Sequence, residues 1–169
     1  MHDQPKYRGL RGSEFFGDGL AARPLVAGTV PRGELREDAL LYTGKDANGA
    51  IAAVFPFPVD ESVMRHGQER FNIYCSPCHG RTGMGDGMIV QRGYRRPPSF
   101  ADPRLREAPV GHFFDVMTRG FGAMPDHASQ IRAADRWAIA AYIRALQLAA
   151  HATMADVPAE QRSRLEGQP

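Results

Sequence analysis

The chain has two cysteines, and both lie in Cys75-Ser76-Pro77-Cys78, with His79 following at once. Two thiols on one turn can each add to a vinyl group of a porphyrin, which leaves the next residue's imidazole over the iron. The pentapeptide is therefore read as the covalent attachment site of one haem c, with Cys75 and Cys78 as the links and His79 as an axial ligand. Two other chemistries use such a motif. A thioredoxin-like redox dithiol follows a strand in a βαβ setting, whereas a helical pattern precedes this one. A zinc site wants more ligands than two cysteines and a histidine, and no second cysteine pair exists.

An electron-transfer haem needs a sixth ligand, and a thioether is a soft donor that favours ferrous iron. Of the seven methionines, Met84 and Met88 lie too close to His79 for the loop to double back across a haem, and Met1, Met64 and Met154 lie outside the relevant stretch. Met117 falls in an apparent helix, where a methionine is usually core. Met124 sits in Gly120-Phe121-Gly122-Ala123-Met124-Pro125, where glycine permits close approach and Pro125 keeps Met124 out of helix. The expected metal ligands are His79 and Met124, with His112 and His127 as the alternatives for the sixth position. The other ring N–H of His79 is expected to donate to a carbonyl in the Pro97-Pro98 region, fixing its tautomer. Arg81, Arg92, Arg95 and Arg96 are candidates to pair with haem propionates, and Trp137 either packs on the haem edge or belongs to the core.

These residues need helices to place them. Val63, Arg70, Phe71 and Tyr74 recur at helical spacing behind a cap at Asp60 or Ser62, so a helix runs directly into Cys75. A short helix around Phe113 to Met117 ends at Gly120, and Ala133 to Leu148 forms a longer one, in which Trp137, Ala140, Ala141, Ile143, Arg144 and Leu148 include an apolar series at helical spacing. The stretch between Gly80 and Pro109 holds six arginines among glycines and prolines and should wrap as loop. Residues 1–60 are broken by glycine and proline and read as an extended arm. Within them, Leu40 to Thr43 and Ala50 to Phe55 flank Asn48-Gly49 as a hairpin. A boundary near Val59 follows, giving an arm over 1–59, a haem domain over 60–150 and a loose polar tail over 151–169.

At 169 residues the chain holds one domain with length to spare. Its formal charge of +2 is too weak to imply nucleic acid, and two propionates would roughly cancel it. No run approaches the roughly 20 apolar residues of a spanning helix. The opening residues lack the apolar core of a signal peptide, and because haem attachment of this type implies export, the sequence is expected to begin after processing.

Residues 60–150 together resemble class I cytochromes c, a small all-α fold in which the helix before the attachment motif crosses the final helix. A narrower likeness spans nearly the whole chain. Met1-His2-Asp3-Gln4-Pro5-Lys6-Tyr7, Ala22-Arg23-Pro24-Leu25-Val26, Phe55-Pro56-Phe57-Pro58-Val59, Cys75-Ser76-Pro77-Cys78-His79-Gly80-Arg81-Thr82-Gly83, Arg96-Pro97-Pro98-Ser99-Phe100 and Arg136-Trp137-Ala138-Ile139 resemble the monohaem cytochrome subunit of bacterial alternative complex III. That resemblance implies an electron-transfer subunit without its own substrate site, in a periplasm-facing membrane assembly that oxidises quinol. Its implied partners are other subunits, including another cytochrome c, and a downstream cytochrome c or terminal oxidase. It also implies that the arm lies along neighbouring subunits, and that membrane contact comes through partners or a lipidated cysteine upstream of Met1. A freely diffusing periplasmic cytochrome, or a haem peroxidase or sensor with an open sixth site, would share the attachment motif.

Overall fold

In the computed structural model, residues 4–166 are described. Among them there is no strand, only isolated bridges such as Lys45 with Ile51 and Phe121 with Met124, and the fold is all-α. The chain divides after Glu37 into two units. The first is irregular: a Gly12–Leu20 bridge closes a loop, and Arg23, just beyond it, reaches the Asp18 carboxylate at 2.7 Å and lies 4.0 Å over the Phe16 ring.

The second unit is built on two helices. Helix α2 (Glu61–Tyr74) starts where the Asp60 carboxylate accepts from the Val63 amide at 2.9 Å, satisfying one of the first-turn donors that have no partner within the helix. It packs against α7 (Ala133–Ala149), whose buried face includes Trp137, Ile139, Ala140 and Ile143. The approach is closest at Gly67, where a Cβ would lie 2.1 Å from the Ala138 carbonyl oxygen, so only glycine lets the two backbones meet. Polar contacts pin the rims: His66 Nε2 lies 2.8 Å from Asp135 Oδ1, and Gln68 donates to the Tyr142 hydroxyl at 3.1 Å. Between these helices lie α3 (Ser76–His79), α4 (Met88–Gln91), α5 (Pro103–Glu107) and α6 (Val110–Arg119), the last ended by Gly120 at φ +75°.

Three expectations are corrected. The hairpin is absent: Ala39–Thr43 is a short helix, α1, capped by Asp38 at its start and by Gly44 in the left-handed region at its end. The division at Val59 moves to Glu37, because residues 38–57 complete a core around α7. Ala52 and Trp137 are fully buried there, the Trp137 indole stacks on Phe114 with centroids 4.8 Å apart, and its Nε1–H donates to the Leu41 carbonyl at 2.9 Å. The stretch after Ala150 is helical in part, with a 3₁₀ turn at Met154–Asp156 closed by a reciprocal Thr153–Asp156 capping box and with α8 (Ala159–Glu166), while residues 167–169 of the expected tail lie outside the described residues.

Candidate haem site

Helix α2 delivers the attachment motif without a break: the Cys75 amide donates to the Phe71 carbonyl, and the His79 amide donates back to the Cys75 carbonyl at 2.8 Å. Cys75, Cys78 and His79 thus occupy one helical turn. Both cysteines are free thiols, Cys75 buried and Cys78 half-buried. Burial, reinforced by Cys78, pushes the Cys75 thiol up to about 12. A redox dithiol needs a thiol that ionises easily, so this environment points away from thiol exchange. Nor is there, among the described residues, a cluster of three or more His, Cys, Asp or Glu side chains that could hold a metal as a protein-only site.

His79 is equally specialised. Burial, with the nearby His127 adding to it, pushes its imidazole down to about 4, so the ring is neutral and able to ligate a metal. Its ring lies flat on Phe100, centroids 4.7 Å apart and planes 13° apart. Nδ1 of His79 is buried without a hydrogen-bond partner, as is Nδ1 of His127. A polar atom left so costs roughly 1–3 kcal/mol, which a bond from outside the chain can remove.

The surroundings are apolar. Cys75, Phe100, Phe113, Met117, Ile131 and Ile143 form one buried cluster, and Met124 packs against it half-buried. Met124 is presented by a tight turn in which Phe121 and Met124 exchange both backbone hydrogen bonds at 3.0 Å. A Cβ at Gly120 would come within 2.6 Å of the Met124 carbonyl oxygen, so the turn depends on that glycine. The donor set of two thiols, a neutral buried imidazole and a thioether against one apolar cluster fits a covalently bound haem.

Several expected site residues fall elsewhere. Trp137 lies in the separate cluster of Ala52, Val110 and Phe114, with its N–H committed to Leu41, so it is core and not part of the cluster holding Cys75 and Met124. The expected bond from His79 to the Pro97-Pro98 region is not made: the ring instead stacks on Phe100, the Pro97 carbonyl faces Gly85, and Pro98 is exposed. Arg95 and Arg96 are both exposed, and Arg96 donates to the Met84 carbonyl at 2.9 Å. His112 is half-buried, in edge contact with the Phe113 ring.

Two residues escaped the sequence reading. Phe100 stacks on His79 and is held by the buried Gln147, whose amide donates to the Phe100 carbonyl at 3.0 Å and to that of Leu105 at 3.2 Å. Tyr94 donates its hydroxyl to the Ala123 carbonyl at 2.8 Å, one residue before Met124. Their aromatic character within an arginine-rich loop was the available signal.

Residues 62–143 match the family model described as cytochrome C oxidase, cbb3-type, subunit III. A structure from a reducing HAO-like protein complex of Kuenenia stuttgartiensis is similar at 21% identity over 64% of this chain and 53% of that one, with a TM-score of 0.48; this chain thus spans about half the length of that relative. Cytochrome cL of Methylophaga aminisulfidivorans is similar at 18% identity over 82% of this chain and 85% of that one, TM-score 0.46. Cytochrome cL of Hyphomicrobium denitrificans is similar at 22% identity, covering 60% and 57% of the two chains, TM-score 0.41. No curated protein matches the sequence. The match over 62–143 is to a cytochrome c domain, which implies a covalently held haem c and haem-based electron transfer.

Proposed function

We propose that this chain is a His/Met-ligated monohaem electron carrier and serves as a subunit of a membrane quinol-oxidising assembly of the alternative complex III type. The observation that carries the first half is the pairing of the Cys75–His79 turn with Met124 around one apolar cluster. Cys75 and Cys78 hold the haem, His79 and Met124 bind its iron, and Phe100 keeps the His79 ring in its plane. Bound haem supplies a one-electron couple; the protein excludes water from it and sets its potential through ligand type and burial.

The second half rests on the first unit. Its apolar side chains face solvent, with Leu10 97% and Phe15 80% exposed, and Tyr7, Leu25, Val26 and Leu35 similarly open. A segment with so little buried surface gains order by lying on a partner. The partners are neighbouring subunits, including another cytochrome c, on the periplasmic face of the membrane, with a cytochrome c or terminal oxidase as acceptor. No helix among the described residues is long and apolar enough to cross a membrane; the proposed membrane contact is made through those subunits or a lipid anchor.

Met124→Ala tests the ligation: the near-infrared band of methionine-bound ferric haem should vanish and the reduction potential should fall. Retention of the band in that variant contradicts the assignment, and its replacement in the wild type by a bis-imidazole spectrum that His127→Ala abolishes would move the sixth ligand to His127. Purification from native membranes tests the assembly, since recovery of the chain alone in the soluble fraction identifies a free carrier instead.

A further inference from the structure

The chain leaving His79 does not wander off. The Gly85 amide donates to the His79 carbonyl at 2.8 Å and the Gly87 amide to the Cys78 carbonyl at 3.1 Å, so this segment is fastened to the attachment turn. It continues through α4, where the Gln91 side chain donates to the Asp86 carbonyl at 2.9 Å and the Tyr94 amide donates to the Ile89 carbonyl at 3.2 Å. It then reaches across to the Met124 turn by the bond from the Tyr94 hydroxyl to the Ala123 carbonyl. Apart from the paired bonds between Phe121 and Met124 inside the turn, the methionine loop is held at its ends, by Gly120 donating to Val116 and His127 donating to Met117. Gly122, at φ +59°, forms its tip, so the Tyr94 hydroxyl is the side-chain bond that reaches the turn from the His79 segment.

We propose that Tyr94 is a positioning residue for Met124: its hydroxyl fixes the tip of the methionine loop to the segment that grows out of the His79 turn, so that the two axial ligands are held by one continuous strap. The ring of Tyr94 is nearly half exposed, at 46%, so its hydroxyl is not required to close a core. Its effect is on the loop. Without that bond the thioether leaves the sixth position more readily, and an added ligand replaces it at lower concentration. This inference rests on the reading of Met124 as the sixth ligand.

The test is a double-mutant cycle on the full-length ferric holoprotein, with Tyr94→Phe, Met124→Ala and the pair, titrated with imidazole and followed by the visible and near-infrared spectrum. Tyr94→Phe should bind imidazole roughly two- to tenfold tighter than wild type, the factor that one ordinary hydrogen bond supplies. It should also have a lower potential. In the Met124→Ala background, Tyr94→Phe should change imidazole affinity by nothing measurable, because no thioether remains to be held. Equal imidazole affinity of wild type and Tyr94→Phe, with the methionine band present in both, overturns the role of Tyr94 and leaves the ligand reading standing. An equal gain from Tyr94→Phe in both backgrounds also overturns it, by showing an effect that does not pass through Met124. Absence of the methionine band from the wild type defeats the ligand reading itself, and the positioning role with it.

Discussion

Cys75 and Cys78 sit one helical turn apart, and burial raises the Cys75 thiol well above its ordinary range. The double variant Cys75→Ser, Cys78→Ser should therefore lose all haem staining on a denaturing gel, and each single variant should weaken it. The attachment motif was fully legible in the sequence because its chemistry is local: spacing alone puts two thiols and an imidazole on one turn. The turn that presents Met124 was readable for a similar reason, through the glycines and the proline that shape it, while its role as ligand belongs to the proposed function. The partner of the His79 ring was not, because it depends on where a loop some 20 residues away comes to rest. The arginine-rich stretch placed Phe100 against the imidazole and left the Pro97 carbonyl facing Gly85. Tyr94 was hidden by the same circumstance, since its partner lies 29 residues downstream.

At the scale of elements, α2 and α7 were readable because each buries a stripe at helical period, while α1 was misread. Leu40-Leu41-Tyr42 suits a strand by residue type, but the Asp38 cap, the left-handed Gly44 and docking on α7 favour a helical turn. Trp137 illustrates how docking decides stability. Trp137→Ala should cost about 3–5 kcal/mol in chemical denaturation, as for large buried aromatics. Trp137→Phe should cost less, about 1–2 kcal/mol for lost volume and the bond to Leu41, and should leave the haem spectrum and potential unchanged. A shifted potential in Trp137→Phe would return the residue to the haem edge. Gly67→Ala should destabilise by about 1–3 kcal/mol, because its Cβ would strike the Ala138 carbonyl and part the two helices. The Asp60 cap makes α2 sensitive to acid. Hydrogen bonds from the Val63 amide and the Ser62 hydroxyl hold its carboxyl below the ordinary aspartate value of 3.8. A carboxyl so depressed stabilises the fold above that value, and the contribution disappears as pH falls through the lower, folded-state value. Acid unfolding of Asp60→Asn should lack that component, which comparison of the two unfolding midpoints between neutral pH and pH 3 would reveal.

For the molecule as a whole, the chain divides after Glu37 into two units, and the attachment turn and Met124 both lie in the second. A chain lacking residues 1–37 should keep the wild-type haem spectrum and unfolding midpoint, and should no longer accompany membranes. Removal of residues 1–59 should lower the midpoint markedly, because it takes away Ala52 and the Leu41 carbonyl that Trp137 requires. Equal stability of the two truncations would contradict the packing of residues 38–59 onto α7. The irregularity of the first unit could be read from its glycines and prolines, but the end of the folded unit could not. Phe55-Pro56-Phe57-Pro58 looks like a linker in sequence, and Phe55 and Phe57 pack against core clusters in space. The account as a whole depends on a covalent haem, and intact-mass spectrometry of the protein matured in a host able to attach haem c, run under denaturing conditions, measures it directly. The predicted result is one species heavier than the polypeptide by a single haem, returning to the bare mass in the double serine variant. A wild-type protein at the mass of its polypeptide alone would contradict it.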